Sequence, residues 1–492
     1  MNHVILDILE KYRPVAALNH STSLMNWDME VNMPEGGAKA RGIALAETAL
    51  IIQAKTLALE NLLEKADQQK DLSDPEKGLV RVLRRNLDYF QKVPPSLVEA
   101  LQKAYAEANL PWREARKNSD FPKFKPYLEK ILELKKQEAA KLEPNGNLYN
   151  GLADIFDEGI TTNILDRVFS FLIPGLKKIL AKATSEYRLT ASHPLETVKY
   201  DIEEMKRIND KLYQLLGMPS ERSRIDVSTH PFSSRIAGDD VRVTTRYEGV
   251  DFKATMFSVI HECGHALYEL QVNPDFEFTP LGNGASFGIH ESQSRFWENI
   301  IGRSRDFTHL VYPLLKENLN FLSSYDANQV YSYFNTVKTS LIRVDADELT
   351  YNLHIALRYE LEKKLLNGEL SVSELPETWN NTIENYLGKR PKNDAEGVLQ
   401  DIHWSWGAFG YFPSYSLGNV VAGMLWSKLQ TNGSVKVQGS NSLQEYRTWL
   451  QTNLHRWGST YSPDDLLHRL FGKGYDPDGL LKYLDRKFLT AN

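Results

Sequence analysis

Five consecutive residues, His261-Glu262-Cys263-Gly264-His265, hold two imidazoles four positions apart, with a carboxylate directly after the first. They sit in Thr255–Gln271, where Met256, Phe257, Val259, Ile260, Leu267 and Leu270 recur at helical apolar positions. Residues four apart on a helix differ by about 40° in azimuth, so both imidazoles share one face. Two nitrogen ligands on one rigid face suit a tetrahedral Zn²⁺, with Co²⁺ or Mn²⁺ as substitutes. Glu262 lies about 100° around from His261, within reach of a water at such an ion, as a general base requires. Cys263 points about 200° away and reads as a small buried core residue. It is the one cysteine in 492 residues, so a cation here is held by nitrogen and oxygen alone.

A catalytic zinc needs a third protein ligand. Gly288–Asn299 reads as a helix opening after a Gly-rich loop, and a helix hairpin would bring Glu291 back to the histidines. His290, Glu298, Glu269 and Glu277 are the competing choices. Glu269 and Glu298 read more simply as charged groups on the wet faces of helices.

The elements that must position these groups are mostly helical. Apolar residues recur at three- and four-residue spacing over 39–63, 76–92, 96–117, 124–142, 161–187 and 196–216. Pro94-Pro95 separates two of these segments, and Glu143–Asn147 reads as a loop. Positions 219–252 carry few helix formers, and Asp240–Tyr247 alternates like a strand. Helical pattern resumes at Lys253. A loop rich in glycine and proline is expected at Asn273–Ser286, and a second Gly-rich stretch runs from Trp404 to Gly418. The expected architecture is mainly α, one large helical body with a small β-element. Residues 1–492 read as one domain, with two helical lobes and a cleft between them as the alternative.

Composition narrows the classes further. One cysteine excludes internal disulfides and cysteine-rich zinc sites. The net charge of −6 supplies no global field for nucleic acid or anionic lipid. No unbroken run of 18 apolar residues is present, so no membrane partner is expected. The N-terminus mixes Asp7, Glu10 and Lys11 into its apolar positions, unlike a signal peptide, which points to the cytoplasm.

Six motifs in order carry a family resemblance: His230-Pro231-Phe232; Asp240-Val241-Arg242-Val243-Thr244; the His261–His265 pentad; His290-Glu291-Ser292-Gln293; Ile342-Arg343-Val344-Asp345-Ala346-Asp347; and Gly397-Val398-Leu399-Gln400-Asp401-Ile402-His403-Trp404. Together with Trp27–Glu30 and Met33-Pro34 they resemble the M32 metallocarboxypeptidases, the thermostable carboxypeptidase Taq group. The resemblance spans essentially the full length. It implies a mainly helical, groove-bearing fold and one divalent metal, usually zinc, held by His261, His265 and Glu291. It implies Glu262 as proton acceptor and donor, release of single amino acids from peptide C-termini with broad tolerance, and commonly a homodimer.

Such an enzyme must also grip a terminal carboxylate, stabilise an oxyanion and align a peptide. Bidentate Arg suits the carboxylate, and Arg343 is the candidate, which the resemblance also indicates. The competing role is an ion pair with Asp345 or Asp347. For the oxyanion, His403, Tyr415 and Tyr411 lie in one Gly- and aromatic-rich stretch. Tyr415 is preferred because it precedes the apolar run Leu417–Leu425; packing is the alternative role for both tyrosines. A peptide backbone would add as a strand beside Asp240–Tyr247. His230 and Arg242 are candidate substrate contacts, Asp240 and Thr244 either contacts or holders of that strand, and Asp401 a group that orients the His403 ring. The rival functions are an endo-oligopeptidase or dipeptidyl carboxypeptidase on the same site, and a non-catalytic helical binder with a structural zinc. The second needs a fourth protein ligand, whereas three good ones stand out.

Overall fold

The computed structural model describes residues 1–143, 146–185, 192–431 and 439–490. Helices predominate, and three short strands form the one sheet among the described residues. The amphipathic segments are helices Asp74–Lys92, Pro95–Asn118, Phe121–Leu142 and Thr162–Ser185. Positions 186–187 of the last segment, and Pro144 and Asn145 of the expected loop, lie outside the described residues. Pro95 opens its helix, where the missing donor breaks no bond. The 39–63 segment is two helices, Ala38–Leu57 and Glu60–Asp67, and a 29-residue helix His3–Val31 precedes them. The 196–216 segment resolves into a 3₁₀ turn, Pro194–Thr197, and helix Ile202–Leu215.

The stretch Glu35–Asp67 is long and apolar enough to cross a membrane by length and composition. Glu47 and Lys55 interrupt it, so a search for an unbroken apolar run passes over it. Helix Ala38–Leu57 buries Thr56 alone and exposes Ile43, Leu50 and Ile51.

The chain divides into two compact units. The first comprises Met1–Phe90, His193–Asn335 and Leu425–Gly474. Its sheet has strands β1 (Ser223–Val227), β2 (Ser233–Ala237) and β3 (Asp240–Thr245) in the order β1-β3-β2. β1 runs parallel to β3 and β2 antiparallel, with Ile225 opposite Val243 on one side and Ser233 opposite Val243 on the other. Both edges of β3 are therefore hydrogen-bonded within the sheet, and no peptide can add beside it. Periodicity identified the strand but cannot tell a central strand from an edge.

Val241 and Val243 of β3 are buried, and the strand packs on helix Phe252–Leu270. That helix in turn packs against helix Phe287–Arg295. The approach is closest at Gly264, where an added Cβ would stand 2.6 Å from Ser294 Cα and 2.7 Å from the Gln293 carbonyl oxygen. Both obstacles are backbone, so nothing can swing aside. After Arg295 the helix widens into a π-turn, Phe296–Gly302.

The second unit comprises Gln91–Ser192, Thr336–Met424 and Tyr475–Asn492. Its central element is helix Tyr351–Asn367, with Leu353, Ile355, Leu357, Leu361 and Leu365 all buried. Burial on more than one face marks a helix packed into the protein. Helix Phe412–Thr431 begins in this unit, so the last part of the Gly-rich stretch Trp404–Gly418 is helical.

Gly264→Ala is expected to lower unfolding free energy by about 1–3 kcal/mol through overpacking. Denaturant titration checks this, and a midpoint equal to that of the parent would mean the two helices can separate freely.

Candidate functional site

The helix spacing places the two imidazoles of the pentad as expected. His261 Nε2 and His265 Nε2 lie 3.6 and 3.3 Å from Glu291 Oε2. One donor atom from each of the three residues lies within 4.8 Å of the others. The opposite ring edges are tethered. His261 Nδ1 is 2.9 Å from Glu298 Oε2. His265 Nδ1 is 2.6 Å from His290 Nδ1, and His290 Nε2 meets Glu269 Oε1 at 2.5 Å. Two Nε2 atoms and one carboxylate oxygen, with both Nδ1 atoms engaged elsewhere, fit a divalent cation of the Zn²⁺ class.

Glu291 is fixed from behind by Arg295 Nε, which donates to Oε1 at 2.7 Å, and by Ser294 Oγ, which donates to Oε2 at 2.9 Å. Burial works to raise its carboxyl, but Arg295 and His261 hold it well below the usual range. Burial pushes His265 down to about 3, leaving it neutral, as a ligand must be. Burial opposes protonation of His261 too, but Glu291 and Glu298 overcome it and raise the ring. Burial raises the Glu262 carboxyl to about 7, against the pull of His261 and a hydrogen bond with Ser233. A general base near neutrality has that affinity for protons. Cys263 is a fully buried free thiol, pushed up by burial.

Glu269, Glu298 and His290 are thus neighbours of the triad rather than members of it. Glu269 and Glu298 are not wet, a correction to the sequence expectation. The side chain of Glu298 is 12% exposed and also meets Arg295 and Arg303 at 3.2 and 3.0 Å. Glu269 lies 3.5 Å from Arg235, whose Nη2 also donates to Glu277. Isolated charges on a helix read as solvated, whereas buried ones need partners that only tertiary structure supplies.

The 230–244 group is mostly engaged in the sheet. Arg242 donates from Nε and Nη2 to Asp240 at 2.8 and 2.7 Å, and its guanidinium lies 4.3 Å from the Trp27 ring centre. Thr244 is fully buried, and its Oγ1 accepts from Ser228 Oγ at 2.7 Å and from the Phe232 N–H at 2.9 Å. His230 is exposed.

In the second unit, Arg343 is 8% exposed and pairs with Asp401, Nε donating to Oδ1 at 2.9 Å. Asp347 instead accepts three backbone N–H groups, from Lys338, Leu349 and Thr350. Asp401 takes a second guanidinium, that of Arg358, so its oxygens serve two arginines rather than the His403 ring. His403 Nε2 lies 3.3 Å from Tyr415 Oη. Its Nδ1 is buried without a hydrogen-bond partner among the described residues, and burial keeps the ring neutral, down to about 3. The Tyr411 ring packs 5.7 Å from His403 and 5.2 Å from Tyr415, centre to centre. The sequence expectations pass over Arg358. Its signal was a polar stripe, His354, Arg358 and Glu362, at four-residue spacing among Leu353, Ile355, Leu357 and Leu361.

Residues 7–488 match the family model described as carboxypeptidase Taq (M32) metallopeptidase. The chain is 42% identical to thermostable carboxypeptidase 1 of Pyrococcus furiosus over 99% of both chains. It is 34% identical to carboxypeptidase 1 of Bacillus subtilis, over 98% of this chain and 97% of that one. A solved structure of the Pyrococcus furiosus carboxypeptidase superposes with a TM-score of 0.97, covering 99% of each chain at 42% identity. The chain therefore belongs to the M32 family of metallocarboxypeptidases and is an enzyme that hydrolyses peptides from the C-terminus.

Proposed function

We propose that the chain uses one divalent cation, Zn²⁺ by preference, to remove single residues in succession from peptides with a free C-terminus. The convergence of His261 Nε2, His265 Nε2 and Glu291 Oε2 carries this reading. Lewis acidity toward water and the scissile carbonyl is what a cation held by these three residues supplies when bound. Glu262 accepts the proton of the attacking water on a carboxylate oxygen and delivers it to the leaving nitrogen. Arg343 takes the terminal carboxylate. His403 and the hydroxyl of Tyr415 are donors for the developing oxyanion, with Tyr411 as the second hydroxyl candidate. His230 is open to a peptide, while Arg242, Asp240 and Thr244 hold the sheet. Residues 1–492 act as one peptidase domain. The cytoplasm is the proposed compartment, in keeping with a chain that can form no internal disulfide.

A second copy of the chain is the proposed partner of helix Ala38–Leu57, whose apolar side chains Ile43, Leu50 and Ile51 are exposed. Sedimentation of the parent at twice the chain mass, and of Leu50→Glu/Ile51→Glu at the chain mass, is the expected result. A monomeric parent would exclude this role for the helix.

Timed mass spectrometry of one long peptide tests the reaction. A ladder of single-residue losses is expected, abolished by a chelator and absent from the C-terminally amidated twin. Release of dipeptides or internal fragments would replace this reading by a dipeptidyl or endo-acting one. Glu262→Gln is expected to bind metal at the parent stoichiometry and to lose about 10²–10⁴-fold in kcat. Near-parent turnover would remove Glu262 as the base.

A further inference from the structure

Helix Tyr351–Asn367 carries His354, Arg358 and Glu362 on one stripe, each 0% exposed. Polar groups are buried so completely only where partners meet them. His354 Nε2 donates to the Ser340 carbonyl at 3.0 Å. Glu362 accepts from Trp404 Nε1–H at 2.8 Å, the Gly410 N–H at 3.0 Å and Tyr149 Oη–H at 3.0 Å. Arg358 donates from Nε to Asp401 Oδ2 at 2.6 Å, from Nη2 to Gln400 Oε1 at 2.8 Å, and from Nη1 to the His354 carbonyl at 2.7 Å. Its guanidinium lies 4.6 Å from the Trp379 ring centre. The stripe thus fastens the segment before Arg343, the Gln400-Asp401 pair and the turn that holds His403.

Arg358 is too buried to touch a substrate, yet it decides what Arg343 can do. A carboxylate with both oxygens free pairs with arginine through two parallel bonds. Such a pairing would take Nε and Nη2 of Arg343 together and cancel its charge. Instead Arg358 occupies Oδ2, and Arg343 is held at Oδ1 by Nε alone. Its Nη1 donates to Tyr351 Oη at 3.2 Å, and no described residue takes Nη2. The Gln400 side chain ties the pair together, since Oε1 also accepts the Arg343 backbone N–H at 2.8 Å. Two guanidiniums against one carboxylate leave a positive surplus in the trio. Glu362, raised by burial to about 7, offsets that surplus only in part near neutrality.

We propose that Arg358 is a positioning residue for Arg343: by saturating the second oxygen of Asp401 it keeps the outer edge of Arg343, and a net positive charge, for the substrate's terminal carboxylate. The inference rests on Arg343 being the carboxylate anchor.

Steady-state kinetics on a blocked dipeptide with a free C-terminus test it, using the metal-loaded parent, Arg343→Ala, Arg358→Lys and the double variant. Lysine keeps the charge but cannot span Asp401 and Gln400. Arg358→Lys is expected to raise KM about tenfold or more while kcat stays within about threefold. In the Arg343→Ala background the same change is expected to alter kcat/KM by less than about twofold, because its effect runs through Arg343. A merely structural Arg358 would lower stability and leave KM at the parent value, which overturns the proposal, as would full additivity in the double variant. If Arg343→Ala keeps the parent kcat/KM, the anchor role itself fails. If Arg343→Ala loses it and Arg358→Lys keeps the parent KM, the positioning role alone fails. Should Arg358→Lys not fold, Trp379→Leu, which removes the ring beside Arg358, carries the same KM criterion.

Discussion

Each imidazole of the triad is held by its far nitrogen, and a chain of contacts from β2 to the π-turn is arranged around that requirement. A histidine can offer Nε2 to a cation only if the ring cannot rotate and the remaining proton sits on Nδ1. Glu298 meets this need for His261 and His290 for His265. Each tether then needs an anchor of its own. Glu298 is gripped by Arg295 and Arg303, and the π-turn that follows Arg295 is the stretch of chain that carries it. His290 leans on Glu269, which faces Arg235 of β2. The small sheet is therefore part of the support of the histidines. Gly264 completes the arrangement by letting the two helices approach until Glu291 reaches both rings.

The second unit solves a related problem with one helix. Helix Tyr351–Asn367 is buried over most of its length, from Tyr351 to Tyr359 and again at Leu361, Glu362, Leu365 and Leu366. Its polar stripe is consequently desolvated, and each member organises a different stretch of chain. Burial raises the cost of leaving any of these groups unpaired, which makes the geometry of the Arg343 and His403 loops more specific than loops alone would be.

What was legible in the sequence follows from the range of the forces involved. The histidine pentad is a local pattern, so helical geometry alone predicts a shared face. The amphipathic helices and the central strand were legible for the same reason. Choosing among Glu291, Glu269, Glu298 and His290 as third ligand from spacing was not possible, because the choice depends on how two helices cross at Gly264. The wet-face reading of Glu269 and Glu298 failed because solvation is a property of neighbours. β1 and β2 are five residues each and carry no strong alternation, so only their pairing with β3 defines them. The Arg358 stripe was present at four-residue spacing but indistinguishable, without its partners, from an ordinary charged face.

Charge balance links these particulars to chemistry. Around the histidines, Glu269, Glu277, Glu291 and Glu298 face Arg235, Arg295 and Arg303, and Glu262 adds a further carboxyl that is partly ionised near neutrality. Carboxyl groups thus outnumber guanidiniums in the first cluster. Around Asp401, two guanidiniums face one carboxylate, so the second is short of negative charge. Buried clusters with uncompensated charge are costly unless something of opposite sign completes them. On the proposed reading a divalent cation would complete the first, and a peptide's terminal carboxylate the second. On that reading the imbalance that makes each cluster unfavourable alone favours its ligand, and neither imbalance could be read from a chain whose overall charge is a modest −6.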